Sequence, residues 1–237
     1  MNTLFNLLPF ILFLLPVIAY SASFEPMRKE IIRAEGTAFT ITRFDKGGAT
    51  KYGVTKSTWF GWCNHIDLRP CDRNKNGKED DYDIALITLN DAFLIYKKGY
   101  WDTWRCDGIE NQQIAEMLCD WNINQGLGKN RRYVKIVQQV VGYPVLDGRV
   151  SDKLIQYINK MDVHKFLFEI TKKRLSLYDD IIKNNPSQLV FKKSWYNRTV
   201  FILKKYERIN NLPSSIGWCV LSPQEKRNIH ALQNRKR

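Results

Sequence analysis

The sequence predicts a mainly α fold (α+β) with one small β element and a helical C-terminal part. Three observations carry this prediction. Apolar residues recur at helical spacing in segments spread from Met27 to Tyr206. Phe39 to Thr55 is instead rich in Thr, Gly and β-branched residues. The hydrophobic content of 44% supports a real core and excludes a disordered chain.

The elements follow in chain order. Met27, Ile31, Ile32 and Ala34 lie on about one helical face, and Glu35-Gly36 ends that helix, because glycine is favoured just past a helix terminus. Asp45-Lys46-Gly47-Gly48 reads as a turn inside the short β segment. Cys71 to Asp83 is a polar loop. Thr88 to Asp91 has the form of an N-cap with an acidic first-turn residue, and apolar periodicity continues to Tyr96. Ile114 to Ile123 and Tyr133 to Val141 are the next helices, the first ended by Gly126 and Gly128. Gly142-Tyr143-Pro144 breaks the pattern, and a domain or subdomain boundary is placed nearby, giving units of 22–132 and 133–208. Ser151 to Asn159, Val163 to Ile182 and Phe191 to Tyr206 are helical, and residues 209–237 form a basic tail.

The formal net charge of +13 calls for an anionic partner. Nucleic acid, anionic membrane and bacterial wall polymer all qualify. No base-stacking motif and no helix with a one-sided Lys/Arg stripe is visible, which argues against nucleic acid. Leu4 to Tyr20 is almost wholly apolar, broken by Pro9 and Pro16, and small residues follow. This reads as a secretory signal over 1–21, cleaved after Ser21 or Ala22. A retained membrane anchor is the alternative, since no Lys or Arg precedes the run. Export makes disulfides possible among the five cysteines, and Cys63 and Cys71 are near enough to close a small loop.

Glu35, Asp45 and Thr50 form the candidate catalytic set. Glycoside hydrolysis needs one group to protonate the leaving oxygen, and another to hold water or stabilise positive charge on the sugar. A helix-end Glu packed partly against apolar groups suits the acid, an Asp in a polar turn stays ionised, and a Thr hydroxyl orients water.

Arg33-Ala34-Glu35-Gly36, followed by Asp45-Lys46-Gly47-Gly48-Ala49-Thr50-Lys51-Tyr52-Gly53-Val54-Thr55, closely resembles the signature of glycoside hydrolase family 108. The resemblance implies an N-acetylmuramidase with a lysozyme-like helical fold, and places the catalytic Glu at Glu35. Asp45 and Thr50 are spaced like the Glu, Asp, Thr set of phage lysozymes. Thr37 departs from the pattern, standing where the family usually has a second glycine. Tyr100-Trp101-Asp102 and Asp120-Trp121-Asn122-Ile123-Asn124-Gln125-Gly126 extend the likeness. Tyr52, Trp121, Asn122, Asn124 and Gln125 are the candidate substrate contacts. Val145 to Val150 with Leu154, and Phe191 to Arg198, look like the peptidoglycan-binding domain often fused to this family.

Asp72 to Asp83 fits a calcium-loop register. Asp72, Asn74, Asn76, Asp80 and Asp83 stand at positions one, three, five, nine and twelve, Gly77 at six, and the Lys78 carbonyl at seven. A structural Ca2+ is therefore expected, while catalysis needs no cofactor. The expected activity is hydrolysis of the N-acetylmuramic acid–N-acetylglucosamine β-1,4 bond by an exported monomer whose partner is peptidoglycan, with no stable membrane insertion after signal removal. The alternative is a catalytically inactive, calcium-stabilised wall-binding protein.

Overall fold

The computed structural model describes residues 21–41 and 48–214. The apolar N-terminal run, Asp45, Cys219 and the basic tail from Ser215 onward lie outside the described residues.

Helix α1 (Phe24–Glu35) starts where the Ser23 hydroxyl accepts the Glu25 N–H, and buries Met27 and Ile31, one turn apart. It stops at Gly36, whose φ of 76° a side chain would resist and whose N–H donates to the Ile32 carbonyl at 2.9 Å. The β segment is a three-stranded antiparallel sheet of β1 (Phe39–Thr40), β2 (Thr50–Lys51) and β3 (Val54–Thr55). Thr40 pairs with Thr50 and Thr50 with Thr55. Tyr52 and Gly53 join β2 to β3 with positive φ at both positions, as a tight two-residue hairpin turn requires.

Helix α2 (Lys56–Trp62) has no counterpart in the sequence expectation. It is short, aromatic and interrupted by Gly61, so its period is hidden, and the Thr55 hydroxyl that caps it also ends β3. Cys63 and Cys71 form a disulfide, and the Trp59 indole donates to the Cys71 carbonyl at 2.9 Å. Cys106 and Cys119 are buried free thiols. The polar loop ends earlier than expected, because α3 (Asp81–Leu86) begins inside it with a capping box between Asp80 and Asp83. Helix α4 (Leu89–Ile95) has the expected Thr88–Asp91 capping box and continues as a π-helical turn, Tyr96–Trp101.

Helix α5 (Gln112–Gln125) is the centre of the molecule. Every residue from Ile114 to Asn122 is buried, as expected of a helix enclosed on all sides. The helices α6 (Arg132–Val140), α7 (Asp152–Asn159), α8 (Val163–Asn184) and α9 (Lys192–Ile209) follow. Both α8 and α9 pack against α5 and against each other. One apolar cluster runs from Met27 through Met117 and Leu118 to Ile202 and Leu203, so α1, α5 and the C-terminal helices share a core. The whole is mainly α with a small sheet, consistent with the lysozyme-like class. Among the described residues, no helix is long and apolar enough to cross a membrane.

Candidate active site

Glu35 is the last residue of α1, with about a fifth of its side chain exposed. Two elements close on it. The β2–β3 turn comes from one side: a Cβ built on Gly53 would lie 2.6 Å from the Glu35 Cβ and 2.5 Å from the Tyr96 hydroxyl. Only a glycine allows that approach. The Tyr96 hydroxyl donates to the Tyr52 carbonyl at 3.0 Å and fixes the turn on the π-helical segment. Burial, and then the negative charge of Glu35, push the Tyr96 phenol above its ordinary range, so it stays a donor.

Helix α9 comes from the other side. Arg198 Nη1 meets Glu35 Oε1 at 2.8 Å, while its Nε donates to Asp120 Oδ1 at 2.9 Å. Asp120 also accepts from Arg174 Nη2 at 3.0 Å through Oδ2. A chain of four charges, Glu35–Arg198–Asp120–Arg174, thus links α1, α9, α5 and α8. Burial opposes charge on Arg198, but Asp120 and Glu35 outweigh it and hold the guanidinium above the ordinary arginine range.

Arg198 also forms part of the wall of a groove of about 640 Å³, which Glu35 itself does not line. The groove runs along one face of α9, past Arg33 and Ala34 of α1 and Asn124 of α5. Phe201 carries the Arg33 guanidinium 3.5 Å above its ring. The Tyr178 hydroxyl donates to Asn124 Oδ1 at 2.5 Å and steadies that end.

The sequence-predicted residues separate into four groups. Asn124 lines the groove, and Glu35 is paired with Arg198, which lines it, without lining it itself. Thr50 lies half-buried on the strand that leads into the Tyr52–Gly53 turn. Asp45 is outside the described residues. Trp121 and Asn122 are buried and spend their polar groups internally, Trp121 on Gln125 Oε1 and Asn122 on the Tyr100 carbonyl. Both side chains are thus engaged inside the fold. Arg198, Lys204, Lys205 and Arg208 of α9 line the groove together, while Lys192 of the same helix pairs with Asp179.

Asp120, Arg174 and Gly53 were not singled out from the sequence, although a signal existed. Arg174 sits on the apolar stripe of α8 between Ile170 and Leu177, and Asp120 sits within the apolar run of α5. A charge on a core-facing position implies a buried partner. Thr37 is exposed and is not among the described residues with positive φ, so an L residue fits there. Gly36 alone meets the helix-end requirement.

In the Asp72–Asp83 loop, Asp72 accepts the Asn76 and Gly77 N–H groups, and the Asn74 and Asn76 amides donate to the two oxygens of Asp80. Asp83 is buried, and its oxygens accept three backbone N–H groups, from Arg73, Asn74 and Asp80. Among the described residues, no group of three or more His, Cys, Asp or Glu side chains is placed to hold a metal. The loop is braced by its own hydrogen bonds, with Asp83 acting as the brace.

No curated protein matches the chain. Among solved structures, that of SagA from Brucella abortus is similar with a TM-score of 0.60 and 23% identity, over 81% of this chain and 98% of that one, a likeness of fold. The family model of glycosyl hydrolase 108 matches residues 28–126, a stretch that holds Glu35, Asp45, Thr50 and α5 and ends before Arg174 and Arg198.

Proposed function

We propose that the chain is a peptidoglycan hydrolase that cuts the β-1,4 bond between N-acetylmuramic acid and N-acetylglucosamine, with Glu35 as the proton donor. The observation that carries this reading is the placement of Glu35. It ends α1 with its side chain only about a fifth exposed, held between a glycine turn and Arg198. The match of residues 28–126 to a glycosyl hydrolase family supports it.

Arg198 pairs with the Glu35 carboxylate through Oε1, so in the proton-donating form Oε2 is the oxygen assigned to carry the proton to the leaving sugar. Asp45 stabilises the cationic transition state or helps hold water, and Thr50 positions that water. The enzyme acts as an exported monomer on the wall and uses no cofactor in the chemistry.

Glu35→Gln keeps the shape of the side chain and removes the acid. It should abolish release of fragments from purified walls, and full residual lysis would overturn the assignment. Mass spectrometry of borohydride-reduced products identifies the bond: reduced muramic acid ends mean a muramidase, and reduced glucosamine ends mean a glucosaminidase.

We also propose that the Asp72–Asp83 loop takes a structural Ca2+. The convergence of Asp72, Asn74, Asn76 and Asp80 supports this. Binding requires the two Asn amides to release Asp80 and turn their oxygens inward, while Asp83 stays a brace or gives up backbone bonds. A chelator should lower the melting temperature in low salt and added calcium restore it. No shift in either direction would count against the site.

A further inference from the structure

Two tyrosines stand on the π-helical turn beside Glu35, and the fold uses them differently. Tyr96 is buried, and its hydroxyl is spent on the Tyr52 carbonyl at 3.0 Å. That hydroxyl and the Glu35 Cβ press on the same point, the place where a Cβ on Gly53 would stand. Tyr100 follows on the same segment and is half-buried, with its ring 5.7 Å from the Tyr96 ring and tilted by 40°. Its backbone is pinned from α5, where Asn122 Nδ2 donates to the Tyr100 carbonyl at 3.1 Å. The same helix holds Arg198, and so Glu35, through Asp120. A Cβ on the neighbouring Gly99 would lie 3.0 Å from the Trp62 indole, and the Gly99 carbonyl accepts the Thr103 hydroxyl at 2.7 Å. The segment is thus held by α5, by α2 and by the β2–β3 turn.

The Tyr100 hydroxyl is the part left over. It has no hydrogen-bond partner among the described residues, and it is not one of the polar atoms sealed in without one, so it opens to solvent. The other residues of the Tyr100-Trp101-Asp102 motif are spent inside the fold: the Trp101 indole donates to Asp107 at 2.6 Å, and Asp102 pairs with Lys97. Burial, and then the charge of Glu35, raise the Tyr100 phenol above its ordinary range, as they do for Tyr96. At neutral pH it is therefore a donor, held on a rigid backbone beside the acid. Sugar hydroxyls and N-acetyl carbonyls are acceptors that such a donor fits, and a pre-positioned tyrosine gives up little entropy in binding them.

We propose that Tyr100 is a further substrate-contacting residue, whose hydroxyl donates to the N-acetylated sugar bound at Glu35. The inference rests on the hydrolase reading of that site. Binding and stability test it together. Full-length Glu35→Gln protein is titrated with soluble glycan strands from purified walls, and so is the same protein carrying Tyr100→Phe. The substitution removes one oxygen that the fold does not use. The melting temperature should stay within about 2 °C, while the strands bind about three- to tenfold more weakly. Tyr96→Phe is the contrast, since it loses the bond to Tyr52 and should melt about 2–4 °C lower. Equal binding with and without the Tyr100 hydroxyl would overturn the inference. So would a parent protein that does not bind the strands, and so would a Tyr100→Phe melting temperature that falls as far as that of Tyr96→Phe, because the hydroxyl would then serve the fold. Wild-type protein that releases no fragments from walls would refute the hydrolase reading; weaker binding by Tyr100→Phe would then still assign the hydroxyl to the saccharide.

Discussion

Asp120→Asn is the most informative single change. Asp120 accepts from two arginines through its two oxygens, at 3.0 Å from Arg174 and 2.9 Å from Arg198. Arg198 keeps Glu35 when Asp120 is neutralised. Arg174 keeps the Met117 sulfur, at 3.3 Å, a weak acceptor, and the face of Trp121, 5.7 Å from the ring centroid. Its side chain is fully buried, and its Nε already has no hydrogen-bond partner. An amide also offers one oxygen and an NH2, so it faces one of the two arginines donor to donor. Leaving a buried cation without its counter-ion costs about 3–5 kcal/mol. For a chain of this size, that lowers the melting temperature by about 6–20 °C. Adding Arg174→Met removes the stranded charge and should recover at least about 1 kcal/mol. Thermal and denaturant unfolding of the wild type, the single variant and the double variant provide the measurement. An Asp120→Asn protein within about 1 kcal/mol of wild type would refute the reasoning, as would a double variant less stable than the single one.

Other perturbations probe other parts of the fold. Gly53→Ala puts a side chain at positive φ and against Glu35, so unfolding should show a loss of about 2–5 kcal/mol, and wall lysis should fall at least about tenfold through displacement of the acid. Lys205→Met strands Glu116, whose side chain is fully buried. Burial holds the Glu116 carboxyl above its ordinary range, more than Lys205 offsets. The contribution of Lys205 is therefore greatest at neutral pH and is lost as pH falls through that raised value. The stability gap to wild type should narrow between about pH 7 and pH 4, and a gap independent of pH would contradict the pairing. Cys63→Ser/Cys71→Ser opens a loop with a sequence separation of 8. The chain-entropy model gives a loss of about 2–3 kcal/mol in denaturant unfolding, and no loss would show that the loop is held by Trp59 and its neighbours alone.

Much of the fold was legible because its signals are local. Gly36 after an apolar stripe marks the end of α1, and Thr88 with Asp91 marks the start of α4. The long helices α5, α8 and α9 carry enough turns for their period to show. Short elements did not show. Helix α2 has too few residues to display a period, and α3 begins on the aspartates that otherwise read as a polar loop. The site was legible only in part for a related reason. Which partners Trp121 and Asn122 take, Gln125 and the Tyr100 carbonyl, was set by helix phase and packing and not by residue type.

The amino-acid order by itself determined the class of fold, the turn glycines and Glu35 as the candidate acid, because caps, turns and amphipathic stripes are properties of neighbouring residues. What surrounds that acid was decided only by tertiary structure. Arg198 lies 163 positions beyond Glu35, and Arg174 lies 54 beyond Asp120. No local preference links them. They meet because α8 and α9 bury their apolar faces on α5, and that packing forces four charges out of water into one another's reach.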